Sequence, residues 1–129
     1  MSSVLNRIRR TLDGLCRGET GMQGTFYGVC NAKDLKFWNY FVFNRSKTTK
    51  KNASRMDYQT FYEVHIVHEN FIPEGYVEEV VHALEAEEEK GTLLRATDDD
   101  IAYNYILKGN TDVVVEMATI AFYHPKKRC

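Results

Sequence analysis

The residues best suited to chemistry are His65 and His68, which sit with Glu63 and Glu69 in the run Tyr-Glu-Val-His-Ile-Val-His-Glu. Imidazole and carboxylate together can hold a transition metal or relay a proton. Spacing argues against the metal. The zinc string H-E-x-x-H works because histidines four apart share one face of a helix, whereas histidines three apart on a strand point to opposite faces. The run alternates apolar and polar residues, which predicts a strand, so the two imidazoles are not expected to share an ion.

Asp98, Asp99 and Asp100 offer carboxylate oxygens to a hard cation, but the segment lacks the alternating ligands, central glycine and distal glutamate of a calcium loop. It is expected to be a solvated turn. Cys16, Cys30 and Cys129 are odd in number and form no C-x-x-C pair, which argues against a disulfide framework or a zinc site and fits a reducing cytoplasm. No sequence signal pairs Cys16 or Cys30 with a histidine and an orienting acid. The strings G-x-x-x-x-G-K-[ST], G-x-G-x-x-G and G-x-S-x-G are all absent. No catalytic residue, cofactor or metal is therefore expected.

Charge is more informative. Arg45, Lys47, Lys50, Lys51 and Arg55 put five basic residues into the eleven of segment 45–55. Such a cluster suits an acidic protein surface or a phosphate backbone, and with no aromatic residue interleaved it is not a base-stacking platform. Glu85, Glu87, Glu88 and Glu89 crowd the end of a predicted helix, where the dipole opposes anions, so their placement calls for a reason outside the helix. These two groups are the candidate complementary contacts. Lys126, Lys127 and Arg128 form a second, smaller basic group. The whole chain, with 17 basic and 18 acidic residues, has a net charge of −1 and no global pull toward nucleic acid.

The elements that must position these groups follow from periodicity. Ser2 or Ser3 can cap a helix in which Val4, Leu5, Ile8, Leu12 and Leu15 recur at three- and four-residue spacing, with Arg7, Arg10 and Asp13 on the other face. Gly18, Gly21 and Gly24 then mark a loop. The aromatic run at 37–43 predicts a strand, and 26–29 a shorter one. Polar residues between 44 and 57 predict a long basic loop, and residues 58–69 a half-buried strand. Pro73, the early acids Glu74, Glu78 and Glu79, and the stripe Val77, Val80, Val81 and Leu84 predict a helix over 74–90. Segments 93–96 and 101–107 read as extended, and Gly109-Asn110 as the turn of a closing hairpin with 113–123.

With 129 residues, 43% of them hydrophobic and 27% charged, the chain predicts one folded domain, residues 1–129. Eight tyrosines and seven phenylalanines supply large area for a core or an interface. Polar residues follow the N-terminal arginines and no apolar run is long enough to span a bilayer, so neither export by a signal peptide nor membrane insertion is expected. The order helix, strands, helix, strands predicts an α+β fold: an antiparallel (mixed) sheet with two helices packed on one face.

The opening helix, the 37–43 strand with its basic loop, Tyr-Glu-Val-His-Ile-Val at 62–67, the 74–90 helix and Lys-Gly-Asn-Thr-Asp-Val-Val-Val-Glu-Met at 108–117 together resemble the tail terminator proteins of tailed bacteriophages and prophages. The resemblance covers most of the chain and rests on element order rather than on a catalytic motif. It implies a non-enzymatic virion protein, assembled in the bacterial cytoplasm. Such a subunit would form a hexameric ring with copies of itself on the last ring of tail-tube protein, stop tube growth, present a surface to the head connector protein and surround a lumen through which DNA passes. Another head–tail joining or tail-completion subunit has the same architecture. A small nucleic-acid-binding domain using the basic loop and His65 or His68 is the alternative from a different class.

Overall fold

Ser3 adopts extended backbone, and its Oγ accepts the N–H of Asn6 at 3.1 Å, satisfying one donor that the first helical turn leaves without a partner. In this computed structural model, which describes residues 3–16, 22–31, 36–52, 57–86 and 93–124, that cap opens α1, Val4–Leu15. Ile8 and Leu12 of its apolar stripe are fully buried. Arg7, expected on the outer face, is buried as well, at 1% exposure. Its Nη2 donates to the carbonyl of Leu84 at 2.6 Å, in the last turn of the second helix, α2, Tyr76–Ala86. Orphan carbonyls and the negative end of the dipole make a helix C-terminus a good site for a cation, which is why the guanidinium turns inward.

Among the described residues, six strands complete this frame: β1 Thr25–Tyr27, β2 Tyr40–Asn52, β3 Asp57–Glu69, β4 Arg95–Ala96, β5 Ala102–Leu107 and β6 Val114–Tyr123. The sheet order is β1-β2-β3-β6-β4, with β5 also paired to β6. Every pairing is antiparallel except β1 with β2, which is parallel, so the sheet is mixed. Two predicted strands are shifted. The first spans Thr25–Tyr27, and the aromatic one starts at Tyr40, leaving Phe37, Trp38 and Asn39 ahead of it. The predicted start of α2 also moves, from residue 74 to Tyr76, and residues 87–90 lie outside the described residues.

The largest difference concerns the loop expected over 44–57. The β2 strand continues to Asn52 and β3 starts at Asp57, so only residues 53–56 separate them, and these lie outside the described residues. A ladder hydrogen-bonds through the backbone and needs no apolar side chains. Cross-strand pairs such as Thr48 and Thr60, whose hydroxyls are 3.1 Å apart, hold a polar hairpin. Register shifts between Arg45 and Lys47 and between Lys50 and Asn52 add twist.

Register assigns the faces. Phe41, Phe43, Tyr62, Val64, Ile66, Ala118, Ile120 and Phe122 point to one side, where Ile8, Leu12, Val77, Val80 and Leu84 of the two helices cover them. Phe41 stacks on Tyr76 of α2, with ring centroids 6.2 Å apart. The opposite face carries Val42, Val67 and Val115, also buried, among polar neighbours. Asn70 ends β3 with φ 68, a conformation asparagine tolerates better than most residues, and its N–H reaches Val114 O at 2.6 Å. Gly109, φ 56, turns β5 into β6 as the Gly-Asn signal predicts. Among the described residues, no helix is long and apolar enough to cross a membrane.

Candidate interaction surfaces

Strands β2 and β3 outrun the rest of the sheet. Pairing of β3 with β6 stops at Phe61 and Tyr123, whereas β2 and β3 remain paired from Lys47–Phe61 out to Asn52–Asp57. The result is a two-stranded arm. Gln59, 4% exposed, anchors its root by donating to His124 O at 2.7 Å, and the His124 ring meets Leu93 O at 2.7 Å. Lys47 is exposed at the root of the arm, and exposed Arg45 precedes it, opposite Tyr62, where β3 is still paired to β6. The ammonium of Lys47 lies 5.1 Å from the centroid of the Phe61 ring, which in turn tilts against Tyr123 at 6.3 Å. A cation held over an aromatic face keeps its charge at a fixed place.

The predicted contact residues separate into four groups. Arg45 and Lys47 are exposed at and just before the root of the arm; Lys50 and Lys51 lie in β2, although their side chains are outside the described residues; Arg55, Glu87, Glu88 and Glu89 lie wholly outside them. Glu85 is already engaged, because its Oε2 accepts the N–H of Ala96 at 2.9 Å and ties α2 to β4. The exposed carboxylates described at the other end of that helix are Glu74, Glu78 and Glu79.

His65 and His68 take opposite faces, as their spacing predicts: His65 opposes Thr119 and His68 opposes Glu116. The His65 Nδ1 is 2.9 Å from Thr119 Oγ1 and its Nε2 is 2.9 Å from Asn44 Oδ1. Asn44 Nδ2 donates to Glu63 Oε1 and to Arg45 O, which fixes its oxygen toward the imidazole. Nε2 therefore carries a proton and donates to Asn44 Oδ1. Burial pushes the His65 pKa below its ordinary value, and the Glu63 carboxylate only partly offsets this. The unfolded chain therefore takes up the proton first, so stability is full above ~6.5 and declines as pH falls through the folded pKa. His65→Gln is expected to flatten the loss of melting temperature between about pH 7.5 and about pH 5 by a few degrees, read by thermal circular dichroism. An unchanged slope places the acid sensitivity elsewhere.

Among the described residues, no group of three or more His, Cys, Asp and Glu is placed to hold a metal ion. Asp98, Asp99 and Asp100 are exposed, with Asp99 closing a local turn: Thr97 Oγ1 donates to its Oδ2 at 3.0 Å and accepts its N–H at 3.2 Å. Cys16 and Cys30 are free and half-buried. Burial raises the Cys16 thiol pKa, partly offset by Thr25 Oγ1 at 3.7 Å.

Sequence reasoning missed two features. Glu69 gathers the segment ahead of β2: its Oε2 accepts Trp38 N–H at 2.6 Å and Lys108 Nζ at 2.7 Å, while its own N–H reaches Asn39 Oδ1 at 3.0 Å. Strand β5 is exposed at every residue, and Tyr103, Tyr105, Ile106 and Leu107 are between 47% and 60% exposed. A carboxylate in an alternating strand gives no signal of where it points, and edge position depends on strand order. No known protein family and no curated protein matches the sequence.

Proposed function

We propose that the chain is a structural subunit of a phage tail, a terminator that forms a hexameric ring on the end of the tail tube, halts its growth and meets the head connector. The reading is non-enzymatic and uses no cofactor. The observation that carries it is the β2–β3 arm, which leaves the sheet beyond Lys47 and Phe61, with exposed Lys47 at its root, Lys50 and Lys51 along its β2 strand and exposed Arg45 just before it. An ordered polar ladder beyond the third strand buries little apolar area for its own domain, whereas a closed ring needs each copy to reach a different face of the next. The acidic counterpart then falls to exposed Glu74, Glu78 and Glu79, with Glu87, Glu88 and Glu89 beyond them in sequence, because Glu85 is engaged by Ala96.

Mixing the chain with polymerising tail-tube protein tests the proposal directly. Tubes should stop lengthening, and native mass measurement should find a six-copy species that weakens as salt screens the arm. Reversing Arg45 and Lys47 to Glu, or Lys50 and Lys51 to Glu, should weaken ring formation about tenfold, on the order of 1.4 kcal/mol, with the melting temperature preserved. Tubes that grow on unchecked in saturating chain would overturn it.

A further inference from the structure

Natural sheets guard a free edge with lysines, proline, a bulge or a short strand, because unpaired backbone groups there template further pairing. Strand β5 has none of these guards. It spans six residues, Ala102–Leu107, without charge or proline, and its register with β6 runs through without a shift. Among the described residues, no strand pairs with its outer side. Charge, however, is arranged at its two ends. The exposed Asp98, Asp99 and Asp100 precede it; Lys108 follows it, and its ammonium, paired with Glu69 Oε2, also donates to Lys36 O at 2.7 Å, which brings the exposed Lys36 to this end.

An edge that is acidic at one end and basic at the other complements itself only when a second copy runs antiparallel. We propose that β5 pairs with β5 of a second copy about a two-fold axis at Asn104. Residues directly opposed across antiparallel strands share a face, which restricts the possible registers. Tyr103, Tyr105 and Leu107 lie on the helix-covered side, opposite Ala118, Glu116 and Val114, while Ala102, Asn104 and Ile106 lie on the other. Centred on Asn104, the pairing sets Ile101 against Leu107, Tyr103 against Tyr105 and Ala102 against Ile106. Every large exposed side chain of the strand meets an apolar or aromatic partner. It also brings the Asp98, Asp99 and Asp100 end of each copy to the Lys36 end of the other. Tyr105 already donates to Glu116 Oε2 at 2.7 Å, which holds its ring ready for the cross-strand contact.

The opposite edge is unsuited to the same role. The β2 arm carries lysines and two register shifts, so it is guarded against strand addition. This contact is isologous, whereas a ring contact is heterologous, so the dimer does not rest on the tail reading and covers the apolar edge of the unassembled chain.

The test uses the full chain alone, with Cys16, Cys30 and Cys129 replaced by Ser. Asn104→Cys places each new thiol opposite its own copy and should give a covalent dimer under mild oxidation, whereas Ala102→Cys, which faces position 106, should not. Light scattering should find a dimer with a dissociation constant on the order of micromolar. Tyr105→Lys should weaken it about tenfold without lowering the melting temperature. A monomer at every concentration, or equal cross-linking at 102 and 104, would sink the pairing. So would a disulfide between the Asn104→Cys thiol and that of a Lys47→Cys arm, which would make the edge a heterologous contact. Because no tube protein is present, these results stand apart from the tube-capping experiment.

Discussion

Arg7→Ala is expected to destabilise the fold by about 3 kcal/mol, the sum of a lost charge-assisted hydrogen bond and lost side-chain packing. Arg7 is 1% exposed on α1, and its Nη2 donates to Leu84 O at 2.6 Å in the last turn of α2. That bond joins the two helices covering the sheet and places a positive charge at the negative end of α2, which has no basic residue of its own in the last turn. Alanine would leave the Leu84 carbonyl short of a donor in a closed environment and open a cavity beside Ile8. In a domain of this size the melting temperature should fall by roughly 10 °C. Arg7→Met separates the contributions, because it keeps the apolar stem and loses the guanidinium, so its stability should fall between the two. Urea denaturation with an unchanged slope is the measurement. A cost under about 1 kcal/mol for alanine would mean that packing alone holds α1 to α2.

The same residue marks the limit of what local patterns reveal. Spacing locates α1 and its cap, the period-two alternation of β3 and the Gly-Asn turn before β6, because each is a local pattern that burial enforces on one face. The same logic assigns Arg7 to solvent, and only the approach of a second helix end reverses it. The arm illustrates the complementary failure. Polar residues over 44–57 signal that almost nothing there enters the core, which holds for the described side chains at 44–49, but a ladder needs backbone partners rather than apolar ones. The basic positions Arg45 and Lys47 are legible as a candidate site, whereas the use of Glu85 by Ala96 is not, since the donor belongs to a separate element, β4, that only the tertiary fold brings to the end of α2.

The two proposals place two kinds of contact on one sheet. The arm has charge without apolar area, and β5 has apolar area with its charge confined to the ends. Contacts of the first kind gain their specificity and salt dependence from complementary fields, whereas the second kind gains from backbone pairing and aromatic burial. Salt should accordingly weaken arm-dependent assembly far more than the β5 dimer. That difference allows the two interfaces to be separated in one titration.

Glu69→Ala is expected to cost about 2 kcal/mol and to release the segment ahead of β2, because it removes the acceptor of both Trp38 N–H and the Lys108 ammonium. The side chains of Lys108 and Glu69 are 20% and 13% exposed, so the cation left behind would be largely withdrawn from water. Burial alone would raise the Glu69 pKa. The hydrogen bonds from Lys108 and Trp38, with the positive charge of Lys108, outweigh it and hold the carboxyl below its ordinary value. A carboxylate depressed in the folded state stabilises fully above its unfolded pKa of about 4.3, and that contribution is lost as pH falls through the folded value. Acid unfolding of the wild-type chain should therefore carry a component that Glu69→Gln lacks. Gln keeps an acceptor for Trp38 but no charge for Lys108, so it should cost less than Ala at neutral pH and converge toward wild type in acid. Lys108→Met in the Glu69→Ala background should cost little further, since the pair acts as one unit. If the two losses simply add, Lys108 is held by Lys36 O rather than by Glu69, and the acid component must be sought among the exposed carboxylates.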